Sequence, residues 1–148
     1  MLTVQNTIAI SAPAAKVWNA LVNPEQTKKY MFGCETVSDW QPGSPLLWQM
    51  EHDGKELIAV KGTVLEIDAP RFLKYTVIDP NAAYADIPEN HLNVTYELTE
   101  QDGSTMLTVT QDGFEGAAEG EKRYQDVYNN GDGWNPILVA IKAVVEEG

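Results

Sequence analysis

Hydrophobic and polar positions change their period three times along the chain. Residues 2–11 mix Val4, Thr7-Ile8 and Ile10 with Thr3, Gln5, Asn6 and Ala9, an imperfect alternation that predicts a first strand. Ser11-Ala12-Pro13 then opens a helix, with Ser11 or Ala12 near the cap and Pro13 in the first turn. Val17, Trp18, Leu21 and Val22 supply its apolar face. Asn23-Pro24 breaks that helix. Pro24 opens a second short one, which carries Tyr30, Met31 and Phe32 at its end and stops at Gly33. From Cys34 onward the period is two. Candidate strands cover residues 34–40, 46–50, 56–67, 72–78, 91–99 and 104–112. Turns at Asp53-Gly54 and Asp102-Gly103 supply the positive φ angles of tight hairpins. Residues 79–90 form the longest irregular piece. In the last quarter the period returns to three and four. Tyr124, Val127, Tyr128, Trp134, Ile137, Leu138, Ile141, Val144 and Val145 make one apolar stripe along residues 121–147.

A long amphipathic helix that follows antiparallel strands must bury its stripe on the sheet. The clean alternation of Leu92, Val94, Tyr96 and Leu98 with Asn93, Thr95 and Glu97 predicts a sheet covered on one face. The expected class is α+β. A curved antiparallel sheet of about seven strands surrounds a long C-terminal helix, and two short helices follow the first strand. No repeat, charge block or linker divides the chain, so residues 1–148 read as a single domain. Gly131, Gly133 and Pro136 interrupt the last stripe. Either a new helix starts near Asp132 or a long one kinks there, and both open the mouth of a cavity beside Trp134.

Strand residues spaced by two and helix residues spaced by three and four then place Trp48, Met50, Tyr75, Tyr96, Gln111, Trp134, Leu138 and Ile141 around a common interior space. Large aromatic walls with a few polar anchors suit a small hydrophobic or aromatic molecule. The alternative is that the same rings simply fill the interior.

Charge narrows the partners. The net charge is -12, and Lys28-Lys29 and Lys122-Arg123 are the only adjacent basic pairs. Phosphate recognition needs clustered Lys and Arg, so nucleic acid is not expected. No run approaches the ~20 apolar residues of a membrane span. The start of the chain has no signal-like basic and apolar segment, and a cytoplasmic protein is expected. A lone Cys34 allows no internal disulfide and fits a reducing compartment. His52 and His91 are the only histidines, and no HxxxH or CxxC spacing occurs, so no metal site or cofactor is expected. His91 shares a strand face with Asn93 and Thr95 that reads as solvated. Tyr75 and Tyr96 read as inward, where a buried hydroxyl needs a partner.

Several segments carry a family resemblance. They begin with Ala12-Pro13-Ala14-Ala15-Lys16-Val17-Trp18-Asn19-Ala20-Leu21 followed by Asn23-Pro24-Glu25. Trp40-Gln41-Pro42-Gly43-Ser44-Pro45, Lys61-Gly62-Thr63-Val64-Leu65-Glu66-Ile67 and Pro70-Arg71-Phe72-Leu73-Lys74-Tyr75-Thr76 continue the series. Val94-Thr95-Tyr96-Glu97-Leu98, Thr105-Met106-Leu107-Thr108-Val109-Thr110-Gln111 and Gly133-Trp134-Asn135-Pro136-Ile137-Leu138 complete it. In this order they resemble the START-like (SRPBCC) superfamily and, within it, the activator of Hsp90 ATPase homologue 1-like family. The resemblance implies a helix-grip (START/Bet v 1-like) fold. The superfamily includes lipid carriers, cyclases, aromatases and hormone receptors. A non-catalytic carrier or sensor of a small hydrophobic molecule is therefore expected rather than an enzyme. The alternatives are a cyclase or aromatase acting in the same cavity, or a protein-interaction module. A chaperone or homodimer partner follows by analogy alone. The co-chaperone behind the family name has a further Asn- and Trp-rich signature that is not found here, so the name is not read as an activity. Some relatives carry a histidine where this chain has Gln111. An acid-base role at that position is lost, and Gln111 is left to hydrogen-bond a ligand.

Overall fold

A computed structural model of the chain describes residues 2–147, His52 through its backbone only. The chain begins with β1 (Val4–Ile10), α1 (Ala14–Val22) and α2 (Pro24–Tyr30). Six strands follow: β2 (Glu35–Ser38), β3 (Pro45–His52), β4 (Lys55–Asp68), β5 (Phe72–Val77), β6 (Leu92–Gln101) and β7 (Ser104–Asp112). Helices α3 (Gly120–Tyr128) and α4 (Asn135–Glu147) end it. The strands form one seven-stranded sheet in the order β1-β7-β6-β5-β4-β3-β2, antiparallel throughout. This is the α+β arrangement that the period changes predict, and the helix-grip fold that the family resemblance implies. Among the described residues no helix is long and apolar enough to cross a membrane.

The tight hairpins form where Asp-Gly pairs stand. Asp53 and Gly54 have φ of 52° and 76°, and Asp102 and Gly103 have 55° and 80°, the left-handed pairs that match strand twist. Register shifts at Trp48/Gln49 and at Val64/Glu66 bend the sheet. Beside the second shift, β4 and β5 touch. A Cβ on Gly62 would lie 1.6 Å from the Thr76 carbonyl oxygen, so only glycine allows this approach. The Thr76 hydroxyl accepts the Thr63 N–H at 3.0 Å where a regular ladder bond is missing.

Leu46, Val64, Leu73, Val94, Leu107 and Val109 alternate onto the inner face and are buried. Val17 and Leu21 of α1, Tyr30 of α2, and Leu138, Ile141 and Val145 of α4 close over them. Asn23 caps α2 by accepting the Glu25 N–H at 3.0 Å, and Pro24 occupies the first turn. Pro13 itself is the residue before α1, one position later than the sequence suggests, and the Ala14 N–H is taken by Glu100 at 2.6 Å. The chain from α2 into β2 is fixed by Thr27, whose hydroxyl donates to the Cys34 carbonyl at 3.0 Å.

The C-terminal segment takes the first of the two forms open to it. It is two helices, not one long one. Asn129 and Asn130 adopt left-handed angles of 51° and 55°, and a 3-10 turn at Asn129–Gly131 separates α3 from the 13-residue α4. Tyr124 and Val127 thus sit on a separate helix, partly buried against the core. Tyr124 packs edge-on against Phe114 and stacks on Tyr128, which is largely exposed.

Candidate functional site

The sheet register sets three side chains in one row on the inner face. Tyr75 pairs with Val94, and Val94 pairs with Gln111. All three line an inner cavity of about 310 Å³. Trp48 and Met50 of β3, Ala59 and Val60 of β4 and Val77 of β5 extend the wall. Met31, Phe32 and Cys34 close it from the end of α2, and Trp134 and Ile137 from the start of α4. Phe32 is 79% exposed with a left-handed φ of 55°, so its ring stands at the mouth. A shallower recess of about 270 Å³ adjoins and shares Phe32, Gln111, Trp134 and Ile137.

Aromatic rings run across the interior. The centroids of Trp48 and Tyr75 are 6.4 Å apart, those of Tyr75 and Tyr96 are 5.4 Å apart, and those of Tyr96 and Trp134 are 6.3 Å apart. The last two contacts are edge-to-face, the geometry ring quadrupoles favour. Two polar links lie among them. Trp134 Nε1 donates to Gln111 Oε1 at 2.8 Å, and the Tyr75 and Tyr96 hydroxyls meet at 2.6 Å. Burial pushes the Tyr75 phenol well above its ordinary range, and neighbouring Tyr96 adds to the shift. Burial raises Tyr96 as well, against an opposing hydrogen bond from Tyr75. Both therefore stay protonated and act as hydroxyls, not as bases. Burial likewise raises the Cys34 thiol. Among the described residues the cavity wall carries no carboxylate, imidazole or amine.

Five of the eight expected residues meet at this cavity: Trp48, Met50, Tyr75, Gln111 and Trp134. Tyr96, Leu138 and Ile141 do not line it. They are buried in the packed core, with the Tyr96 ring edge-on to that of Tyr75. Leu138 and Ile141 share a helix face with Trp134 but lie one and two turns further along α4, beyond the cavity. Sequence reasoning missed Met31, Phe32, Cys34, Ala59, Val60, Val77, Val94 and Ile137. Val77 and Val94 carried a usable signal, since they share strand faces with Tyr75 and Tyr96. Gly133 makes room for a contact rather than for empty space. A Cβ there would lie 2.3 Å from Asn6 Oδ1, the atom that accepts the Trp134 N–H at 2.9 Å.

A larger pocket of about 530 Å³ lies on the opposite face of the sheet. His91 is there, but its side chain is only 14% exposed, because the loop before β6 folds over the face expected to be solvated. Its Nδ1 bonds the Thr76 hydroxyl at 2.9 Å, and its Nε2 bonds Asp86 at 2.7 Å. Lys61 pairs with the other Asp86 oxygen. The Lys61 hydrogen bond and then that of His91 hold the Asp86 carboxyl below its ordinary value. Lys61, Asp86, His91 and Thr76 are thus engaged with one another, and this cluster ties the loop to the sheet. Among the described residues no group of His, Cys, Asp and Glu could hold a metal ion.

The family model described as "Activator of Hsp90 ATPase homolog 1-like protein" matches residues 11–146. Among solved structures, ChR145 from Cytophaga hutchinsonii is 38% identical, with 99% of this chain and 95% of that one covered and a TM-score of 0.74. Ms6760 from Mycobacterium smegmatis is 23% identical, with 97% and 90% covered and a TM-score of 0.69. NE0264 from Nitrosomonas europaea is 18% identical, with 99% and 95% covered and a TM-score of 0.72. The last two share the fold. No curated protein matches the chain.

Proposed function

The chain belongs to the activator of Hsp90 ATPase homolog 1-like family, and on that premise we propose that it is a carrier or sensor enclosing a small hydrophobic or aromatic molecule in its inner cavity. The observation that carries this is the cavity itself. About 310 Å³ is left open between the Tyr75-Val94-Gln111 row, the end of α2 and Trp134, within the usual range for ligand sites. Its walls are aromatic and aliphatic, so enclosure of an apolar body removes that surface from water. Binding is favoured over a cyclase-type reaction by the wall chemistry. Among the described wall residues, one phenol and one thiol that burial keeps protonated and one amide can orient a ligand, but none of them shuttles protons near neutral pH.

Native mass spectrometry of the protein purified from cells tests the proposal, together with thermal shift across a panel of lipids and aromatic compounds. A co-purifying small molecule, or a dose-dependent rise in melting temperature that Trp134→Ala abolishes, is the expected result. Apo protein that no panel member stabilises would refute it.

A further inference from the structure

The geometry points to a second functional site on the outer face of the sheet, where Thr76 is a nucleophile served by His91 and Asp86 in the hydrolysis of small neutral esters. This goes beyond the carrier reading, and the pocket involved shares no lining residue with the inner cavity. Thr76 lies near the end of β5, where alternation turns it to the face opposite Tyr75. Asp86 and His91 belong to the segment between β5 and β6 that folds back over that face.

Proton positions follow from what each group can do. Asp86 Oδ1 meets His91 Nε2 at 2.7 Å, and the Lys61 ammonium sits on Oδ2. Lys61 and then His91 hold this carboxyl below its ordinary value, so near neutral pH it is a carboxylate and accepts from both. The neutral imidazole then carries its proton on Nε2 and leaves Nδ1 bare. Nδ1 lies 2.9 Å from Thr76 Oγ1. The one hydrogen for that contact is the hydroxyl's own, so Thr76 donates to Nδ1. The Thr63 N–H donates to the same Oγ1 at 3.0 Å and fixes the side chain in place. An alcohol that donates to an imidazole, itself oriented by a carboxylate, is the arrangement that prepares a hydroxyl for attack.

All three residues line the outer pocket of about 530 Å³, beside Pro45, Leu47, Leu65 and Pro88. Those apolar walls suit a short acyl chain, while Asp86 and the net charge of -12 disfavour an anionic substrate. Lys61 lines the same pocket and supplies positive charge for an oxyanion. Asp86 holds part of that charge, which suits an ester rather than the less reactive amide. In the first step Thr76 Oγ1 bonds to the ester carbonyl carbon while its proton passes to His91 Nδ1. The bond from that carbon to the alcohol oxygen breaks, and the alcohol leaves with the proton. Water then bonds to the acyl carbon and gives a proton to Nδ1. The acyl bond to Oγ1 breaks, Oγ1 takes the proton back, and the carboxylic acid departs.

The full chain with p-nitrophenyl butyrate as probe tests this. Release of p-nitrophenol above the buffer rate is expected, and peptide mass spectrometry of the acid-quenched reaction should place a butyryl group on Thr76. Thr76→Val, nearly the same shape without the hydroxyl, should abolish both. Thr76→Ser restores a hydroxyl that can accept the Thr63 N–H and should retain both. His91→Gln keeps hydrogen-bonding groups but not the base, and should slow turnover by about 10²–10⁴-fold. Melting curves recorded beside each assay separate lost chemistry from lost fold, and the adduct on the unaltered protein needs no variant at all. Hydrolysis no faster than in buffer, turnover that survives in Thr76→Val, a butyryl group on another residue, or a folded but inactive Thr76→Ser would each overturn the inference.

Discussion

Gly62→Ala tests how the sheet is bent to leave its cavity. The new Cβ would sit 1.6 Å from the Thr76 carbonyl oxygen and 2.5 Å from its carbonyl carbon, where real contacts stay beyond 3.0 Å. Backbone lies on both sides of the clash, so no side chain can rotate away, and β4 and β5 must part by more than an ångström. Overpacking of this kind costs about 1–3 kcal/mol. The separation also strains the bonds that flank it. Lys61 and Ile78 exchange N–H···O bonds of 3.0 and 2.8 Å, and the Thr63 N–H bonds Thr76 at 3.0 Å. Loss of two of these adds about 2 kcal/mol. The expected total is about 3–5 kcal/mol, a large share of the ~5–15 kcal/mol that holds a typical domain. In urea the midpoint should fall with an unchanged slope, and the melting temperature should drop by about 10–15 °C. Gly116→Ala is the control, because a Cβ there meets nothing within 4 Å and the backbone is not left-handed. It should be neutral or slightly stabilising. A Gly62→Ala loss below about 1 kcal/mol, or one equal to the control, would refute the close approach.

Trp134→Phe removes the donor to Gln111 and part of the wall, and should cost about 1–3 kcal/mol in chemical denaturation; a neutral substitution would place the indole outside the packed wall. Asn90→Ala should cost about 1–3 kcal/mol, because the buried Asn90 side chain donates to the Ala85 carbonyl at 2.8 Å and accepts the Ala118 N–H at 2.9 Å; urea melts that match those of the unaltered protein would deny it this linking role. Acid should loosen the outer loop. The Asp86 carboxyl is held below its ordinary value by Lys61 and then His91, so its stabilisation is complete above about pH 4 and disappears as pH falls through the lower folded-state value. Asp86→Asn should lower the melting temperature at neutral pH and flatten its fall in acid, and parallel melting curves for the two proteins from pH 7 to pH 2 would contradict this.

The fold was legible because its signals are local. Alternation in β6 and β7, two Asp-Gly turns and the Asn23-Pro24 cap each dictate their own structure without help from distant residues. The cavity was legible only where one strand face decides the outcome, as for Trp48, Met50, Tyr75 and Gln111. Met31, Phe32 and Cys34 reach it through a turn whose path depends on Thr27 and on a left-handed Phe32, neither of which hydrophobic periodicity encodes. Ala59 and Val60 are adjacent in sequence yet both line the cavity, beside a register shift that alternation cannot show. Leu138 and Ile141 were placed with Trp134 because a helical stripe has direction but no depth. The break between α3 and α4 was visible as a choice between kink and restart. Left-handed Asn129 and Asn130 decide it, and asparagine is among the few residues that tolerate that conformation.

Cys34 makes the cavity wall a clock. It is the chain's single cysteine, it lies beside the mouth, and burial holds its thiol in the unreactive protonated form. Alkylation needs the thiolate in contact with reagent, so it waits for an opening that exposes the sulfur of this residue, which is 5% exposed. When reclosing outruns the chemistry, the observed rate divided by that of an unshielded thiol is the equilibrium constant for that opening, the same relation that governs amide hydrogen exchange. An occupant of the cavity enters that ratio directly. It multiplies the waiting time by one plus its concentration over its dissociation constant, so a single sulfur reports both how often the mouth opens and how tightly it is held shut.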